Sequence, residues 1–157
     1  MTGILSVRPY QPADAPALSA LYEASVRGLG ARDYSDAQIE AWASLAPSPE
    51  ALDGRMADGR TRLVALADGI AGFVDVEPDG HIDLLYVAPD AAGSGVARLL
   101  LETAEALAPI SGASRLYAEA SETARPVFER LGFSVLARRD FEVAGVPLHN
   151  WAVEKAL

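Results

Sequence analysis

The segment from His81 to Arg98, HIDLLYVAPDAAGSGVAR, narrows the possible folds more than any other stretch of the chain. Ile82, Leu84, Leu85, Tyr86 and Val87 form the short apolar run of a buried strand. Pro89 and Asp90 end it, because proline cannot donate to a ladder and aspartate favours turns. Gly93, Ser94 and Gly95 then open a helix whose apolar stripe is predicted at Val96, Leu99, Leu100, Thr103, Ala104 and Leu107. The first amides of a helix lack internal partners and lie at the positive end of its dipole. Glycines remove the β-carbons that would hold an anion off those amides, so the expected ligand is a phosphate or pyrophosphate bound mostly by backbone. The competing reading is a tight strand-to-helix turn and nothing more.

Two familiar nucleotide motifs do not fit. Arg98 stands where a dinucleotide fold requires its third glycine, and the chain has no Gly-Lys-Ser/Thr tripeptide of a P-loop.

The 157 residues suit one domain, residues 1–157, with a full core. Half of them are hydrophobic and the mean hydropathy is +0.14, so the chain is globular. No apolar run approaches a membrane span, and MTGILSVRPY lacks the pattern of a signal peptide, so a cytoplasmic location is expected. Cysteine is absent, which removes disulfides, thiol nucleophiles and thiolate metal sites. Only His81 and His149 could add imidazole ligands, without ligand spacing, and no metal is expected. A net charge of −9 argues against nucleic acid and anionic membranes as partners. It suits a cationic acceptor, or simply solubility.

Along the chain, Ile4, Leu5 and Val7 begin a first strand, and a helix from Pro12 carries Leu18, Leu21, Tyr22 and Val26. Gly28, Gly30 and Asp33 are expected to break it. Ser35 and Gln38 spell a capping box for a second helix with an apolar side of Ile39, Trp42, Ala43 and Leu45. Pro47 to Pro49 stop it, and a short helix follows over 50–57. Strands at 61–66 and 70–76 flank the turn Ala67-Asp68-Gly69, and Pro78-Asp79-Gly80 leads into the His81 strand. A strand at 115–120, a helix at 121–131 ended by Gly132, and a hairpin of 133–143 with 146–153 complete a mixed α/β domain.

This order of elements resembles that of the GCN5-related N-acetyltransferases (GNAT). Leu84 to Asp90 is similar to the family's strand ahead of its pyrophosphate loop. The loop pattern Arg/Gln-x-x-Gly-x-Gly/Ala is matched by Ala92, Gly93, Ser94, Gly95, Val96 and Ala97, with Ala92 at the usual arginine or glutamine position. Ala124-x-x-x-Phe128-Glu129-Arg130-Leu131-Gly132-Phe133 resembles the second signature, with Phe128 where many members carry a tyrosine that protonates the leaving thiolate. Tyr34 to Trp42, His81-Ile82-Asp83 and Ala120-Ser121 are similar to the YafP-like bacterial subgroup.

The resemblance implies an α+β fold with a central mixed twisted sheet of about seven strands flanked by about four helices. It implies direct transfer of acetyl from acetyl-CoA to a primary amine of a small molecule or peptide. Pyrophosphate would lie on the amides of Gly93 to Arg98, and the pantetheine arm along the edge Leu85, Tyr86 and Val87, opened by splaying of the His81 and Arg115 strands. The Val87 amide would polarise the thioester carbonyl. Ser121 would contact the CoA arm or cap the helix after it, and Ala124 and Phe128 would lie on the same side. His81, on the face of Val87 and Asp83, stands where many relatives place a catalytic glutamate; the competing reading is a surface histidine beside a structural aspartate. Tyr117, Tyr86 and Tyr34 are the available phenols, and Glu119 a further group for the amine. Tyr34 and Trp42 would line the acceptor pocket, or Trp42 would pack in the core. His149 is expected to be exposed and inert. A homodimer through the closing hairpin is an option. A non-catalytic acyl-CoA sensor is the alternative, motivated by Ala92 and Phe128.

Overall fold

The computed structural model describes residues 4–157. Met1 to Gly3, part of the amino-terminal stretch read above, lie outside the described residues. A seven-stranded sheet runs in the order β1-β2-β3-β4-β5-β7-β6. Its strands are β1 (Ser6–Pro9), β2 (Thr61–Leu66), β3 (Ile70–Val76), β4 (His81–Val87), β5 (Arg115–Ala120), β6 (Ser134–Val143) and β7 (Val146–Ala156). All neighbours are antiparallel except β4 and β5. The five α-helices are α1 (Ala15–Leu29), α2 (Asp36–Ala43), α3 (Pro49–Arg55), α4 (Val96–Leu107) and α5 (Arg125–Arg130). No described helix is long and apolar enough to cross a membrane.

The alternating pattern of the strands divides the core in two. Leu63, Val74, Ile82, Leu116 and Val153 pack with α4 and Phe128 on one face of the sheet. Val64, Phe73, Leu84 and Leu148 pack with Leu18 and Val26 of α1, Ile39 of α2 and Leu52 of α3 on the other. On α4 the buried positions are Val96, Leu100, Leu101 and Ala104. Leu107, assigned to the stripe from its spacing, is instead exposed, because the helix sits rotated toward Leu101.

Local signals act where expected. The Gln38 N–H donates to Ser35 Oγ at 3.2 Å while Ser35 N–H donates to Gln38 Oε1 at 2.9 Å, closing the capping box of α2. Gly28, however, does not break α1. The helix runs through it to Leu29, and an added Cβ would lie 2.7 Å from Pro89 Cγ. Gly28 is therefore a point of close approach between α1 and the turn after β4. The helix expected over 121–131 also shortens: Ser121 Oγ accepts from Ala124 N–H at 3.0 Å in a turn, and α5 begins at Arg125.

An ionic cluster lies inside the sheet, where the buried Asp75 accepts from Arg60 Nη1 at 2.8 Å as well as from Arg62. Arg62 of β2 is opposite Asp75 of β3, and its Nε and Nη2 donate to the two Asp75 oxygens at 2.6 and 2.7 Å. Arg62 Nη1 donates to Leu52 O of α3 at 2.9 Å, so the pair also anchors that helix. A buried pair with its donors satisfied in this way is tolerated where a lone buried charge is not.

Candidate active site

The sheet comes apart in its middle. β4 and β5 pair only at His81 with Tyr117 and Ile82 with Ala118. Gly80, at φ 98°, permits the close start, since an added Cβ would collide with Arg115 O. Beyond Ile82 the strands diverge around a cavity of about 1090 Å³. The Ala88 N–H donates to Ala71 O at 2.8 Å, so by the alternation of an antiparallel ladder Tyr86 also faces β3. The N–H and C=O of Leu85 and Val87 consequently point into the fork.

At one end of the cavity lies the glycine loop. Gly93 and Gly95 have φ of 76° and 89°, a region that other L-residues enter at a cost. An added Cβ at Gly93 meets nothing within 4 Å, so the loop presents bare backbone. The N–H groups of Gly93, Gly95, Val96 and Ala97 have no acceptor among the described residues. With the dipole of the twelve-residue α4 behind them they form an anion cradle. Ala92, Arg98 and Arg130 line the same end. Ser94 is not part of the lining; its hydroxyl turns back to Ala91 O. Ser121, Ala124 and Phe128 border the cavity from the β5 side, where Phe128 is buried edge-on against Phe133.

The other end is acidic and aromatic. Asp83 and Glu119 line it, with Tyr34 and Trp42. Trp42 is half-buried, its ring 5.2 Å from that of Tyr34, so it serves the cavity wall as much as the core. Tyr34 is buried; its hydroxyl accepts from Glu122 N–H at 2.8 Å and donates to His149 O at 3.3 Å. Desolvation raises its pKa and that of Tyr86.

His81 and Tyr117 stand behind this wall and are not part of the lining. His81 Nε2 lies 2.8 Å from Glu119 Oε1 and Nδ1 lies 2.6 Å from Glu77 Oε1. The bond to Glu119, with that to Glu77, raises the imidazole to about 9 against the opposing effect of burial, so it is charged at neutral pH. In return His81 lowers the pKa of Glu119. A base of near-neutral pKa is thus not what the fold makes of His81. The Tyr117 ring lies 4.9 Å from the imidazole, and its hydroxyl donates to Asp79 at 2.5 Å, which pushes the phenol up to about 12.

The expectation that His81 and Val87 share a face is also corrected. Val76 pairs with Ile82 but Asp75 with Leu84, leaving Asp83 as an extra residue. This bulge reverses the alternation: Ile82 and Leu85 both belong to the α4-side core, whereas Leu84 and Tyr86 belong to the α1 side. His81 and Asp83 lie on the α1 side, and Val87 on the other. Asp83 is held by Arg60 Nη1 at 2.8 Å and approached by Arg55 at 3.5 Å. Glu77, His81 and Asp83 offer ligand atoms within 4.8 Å of one another, but each is engaged in these ion pairs.

His149 differs most from expectation. It is half-buried on the cavity wall and lies 2.8 Å from Glu122 Oε2, which also accepts from Trp151 Nε1 at 2.6 Å. Arg139, Phe141, Leu148 and Asn150 of the closing hairpin line the cavity too and were missed. A hairpin motif in the sequence does not say which strand it lies beside.

The chain matches the family description "Acetyltransferase (GNAT) domain" over residues 30–155. It is 31% identical to YafP of Escherichia coli (strain K12), named an uncharacterized N-acetyltransferase, over 94% of this chain and 93% of that protein. The crystal structure of a GCN5-related N-acetyltransferase from Rhodopseudomonas palustris superposes with a TM-score of 0.89 at 36% identity, covering 100% of this chain and 98% of that one. The PaiA N-acetyltransferase of Thermoplasma acidophilum in complex with coenzyme A shares the fold, with a TM-score of 0.78 at 20% identity, over 98% and 99% of the two chains.

Proposed function

This chain belongs to the GNAT acetyltransferase family, and on that premise we propose that it transfers the acetyl group of acetyl-CoA to the primary amine of a small-molecule acceptor. The observation that carries the reading is the single cavity that joins the bare amides at the start of α4 to the free edge of β4 and then to the acidic end near Glu119.

The residues present fit the co-substrate. Its diphosphate suits the amides of Gly93, Gly95, Val96 and Ala97, which lack acceptors among the described residues. Its amide-rich arm suits the outward N–H and C=O groups of Leu85 and Val87, which can add it to the sheet as a strand would. When bound, acetyl-CoA supplies an activated acyl carbonyl. The Val87 N–H is then placed to donate to that carbonyl oxygen as charge develops on it.

At the acceptor end, Glu119 Oε1 is held by His81, and Oε2 has no hydrogen bond among the described residues. Oε2 receives the ammonium of the acceptor by charge, and the proton passes through water to solvent as the nitrogen attacks, because His81 holds the Glu119 carboxyl below its ordinary range. The new bond is N–C, the broken bond is C–S, and the products are the acetamide and CoA thiol. His81 acts on Glu119 from behind as a positioning residue, with the Tyr117 ring packed against the imidazole. Phe128 offers no proton, so the leaving thiolate is protonated from solvent.

Release of free thiol from acetyl-CoA over a panel of primary amines tests the proposal, with calorimetric titration of CoA alongside. Heat on CoA addition and thiol release with at least one amine class are expected. Absence of CoA binding overturns the whole reading. Binding without turnover of any amine favours the sensor alternative, for which buried Phe128 is the specific observation.

A further inference from the structure

Resting on the transferase reading, we propose that the acceptor is an amino acid with an apolar side chain, bound by its carboxylate as well as its amine.

Glu119 of β5 is opposite Ala152 of β7, and Asn150 lies two residues further along β7 on the same face. Asn150 is itself opposite Arg139 of β6. All of these stand on the α1 side of the sheet, as Leu148 of the same strand shows by joining that core. Glu119, Asn150 and Arg139 also line the one cavity. Diagonal cross-strand neighbours lie about 7–8 Å apart, a span that the two ends of one small zwitterion can bridge with long side chains reaching in.

The donors and acceptors along this line are unequal in a telling way. Glu119 Oε2, beside the start of the fork, accepts no hydrogen bond among the described residues, and Arg139 acts on the carboxylate only through its charge. Arg139 has one hydrogen bond among the described residues, from Nη1 to Asn150 Oδ1 at 3.1 Å, leaving its remaining N–H groups available. Asn150 Oδ1 is used by that bond, so its amide nitrogen is the group left to donate. The order across the face is therefore an acceptor for an ammonium, then donors for a carboxylate. A guanidinium with a neighbouring amide is the pairing that a planar carboxylate takes best. A simple alkylamine would leave those donors to water.

The walls give the third element. Phe141 of β6 and Leu148 of β7 face each other across the hairpin, and Trp42 closes from α2. These make an apolar surface beside the charged line, suited to an aliphatic or aromatic side chain.

The test compares L-phenylalanine with phenethylamine, its decarboxylated counterpart, and with L-phenylalaninamide, in wild type and Arg139→Gln. The expected result is a preference of about ten- to a hundredfold in kcat/KM for the free carboxylate in wild type, the worth of a charge-assisted pair. In Arg139→Gln that ratio falls at least tenfold, through KM rather than kcat, while CoA still shifts the melting temperature. Equal rates for acid, amide and amine in wild type, or a ratio untouched by the substitution, overturn the inference and leave the transferase standing. Loss of the CoA shift in wild type overturns the transferase reading, and this one with it.

Discussion

His81 shows how a residue's chemistry is set by neighbours that its own motif does not contain. Flanked by Glu77 and Glu119, its imidazole is raised to about 9 from 6.5. Below about pH 6.5 the imidazole is protonated folded or unfolded, and the two ion pairs contribute fully. Between 6.5 and 9 only the folded state holds the proton, so this stabilisation is lost as the pH rises through the folded value. The melting temperature of wild type should therefore exceed that of His81→Gln at pH 6, and the difference should shrink steadily toward pH 10. A constant gap across that range would mean that the imidazole is not held as a cation. Glu119→Gln addresses the chemistry instead. It keeps the shape but removes the charge that holds the ammonium, and kcat/KM for the amine should fall about ten- to a hundredfold, with the affinity for CoA retained. Glu119 was legible in the sequence as a candidate for handling the amine, with a solvent-facing strand residue as the competing reading; its pairing with His81 across the parallel strands is what singles it out.

At the scale of elements, the strands and turns were legible because their signals are local. Asp68 and Gly69 have φ of 56° and 110°, as a tight hairpin turn requires, and their type announces it. The bulge at Asp83 and the passage of α1 through Gly28 were not legible, because each answers to a partner distant in sequence: Asp75 in one case, Pro89 in the other. The same holds for the ionic pair inside the sheet. Arg62 and Asp75 read as ordinary polar strand residues, yet both are buried and bonded to each other. Asp75→Ala would leave the Arg62 guanidinium buried without its counter-charge, a loss of about 3–5 kcal/mol. For a domain of this size that corresponds to a fall in melting temperature of roughly 6–20 °C, measurable by calorimetry. A fall of a degree or less would mean that water entering the site compensates.

For the whole molecule, the sheet is at once scaffold and groove: seven strands hold two cores, and the one interrupted pairing becomes the cavity. Ligand binding at such a fork should tie its two halves together. Free CoA at a hundred times its dissociation constant stabilises the folded state by about 2.7 kcal/mol, so the melting temperature should rise by roughly 5–10 °C. Gly95→Ala should reduce that rise, since the left-handed conformation at φ 89° costs a side chain about 1–2 kcal/mol and disturbs the first amides of α4.

By itself the sequence determined the order of elements, the capping box, the glycine loop and the family, because each of these is written in residues close together or in a pattern of residue types. Only the tertiary structure decided which face of β4 His81 occupies, that His81 is a cation rather than a base, and that His149, Arg139 and Asn150 belong to the site. The physical reason is that a side chain's charge and accessibility depend on what other strands bring within hydrogen-bond distance of it.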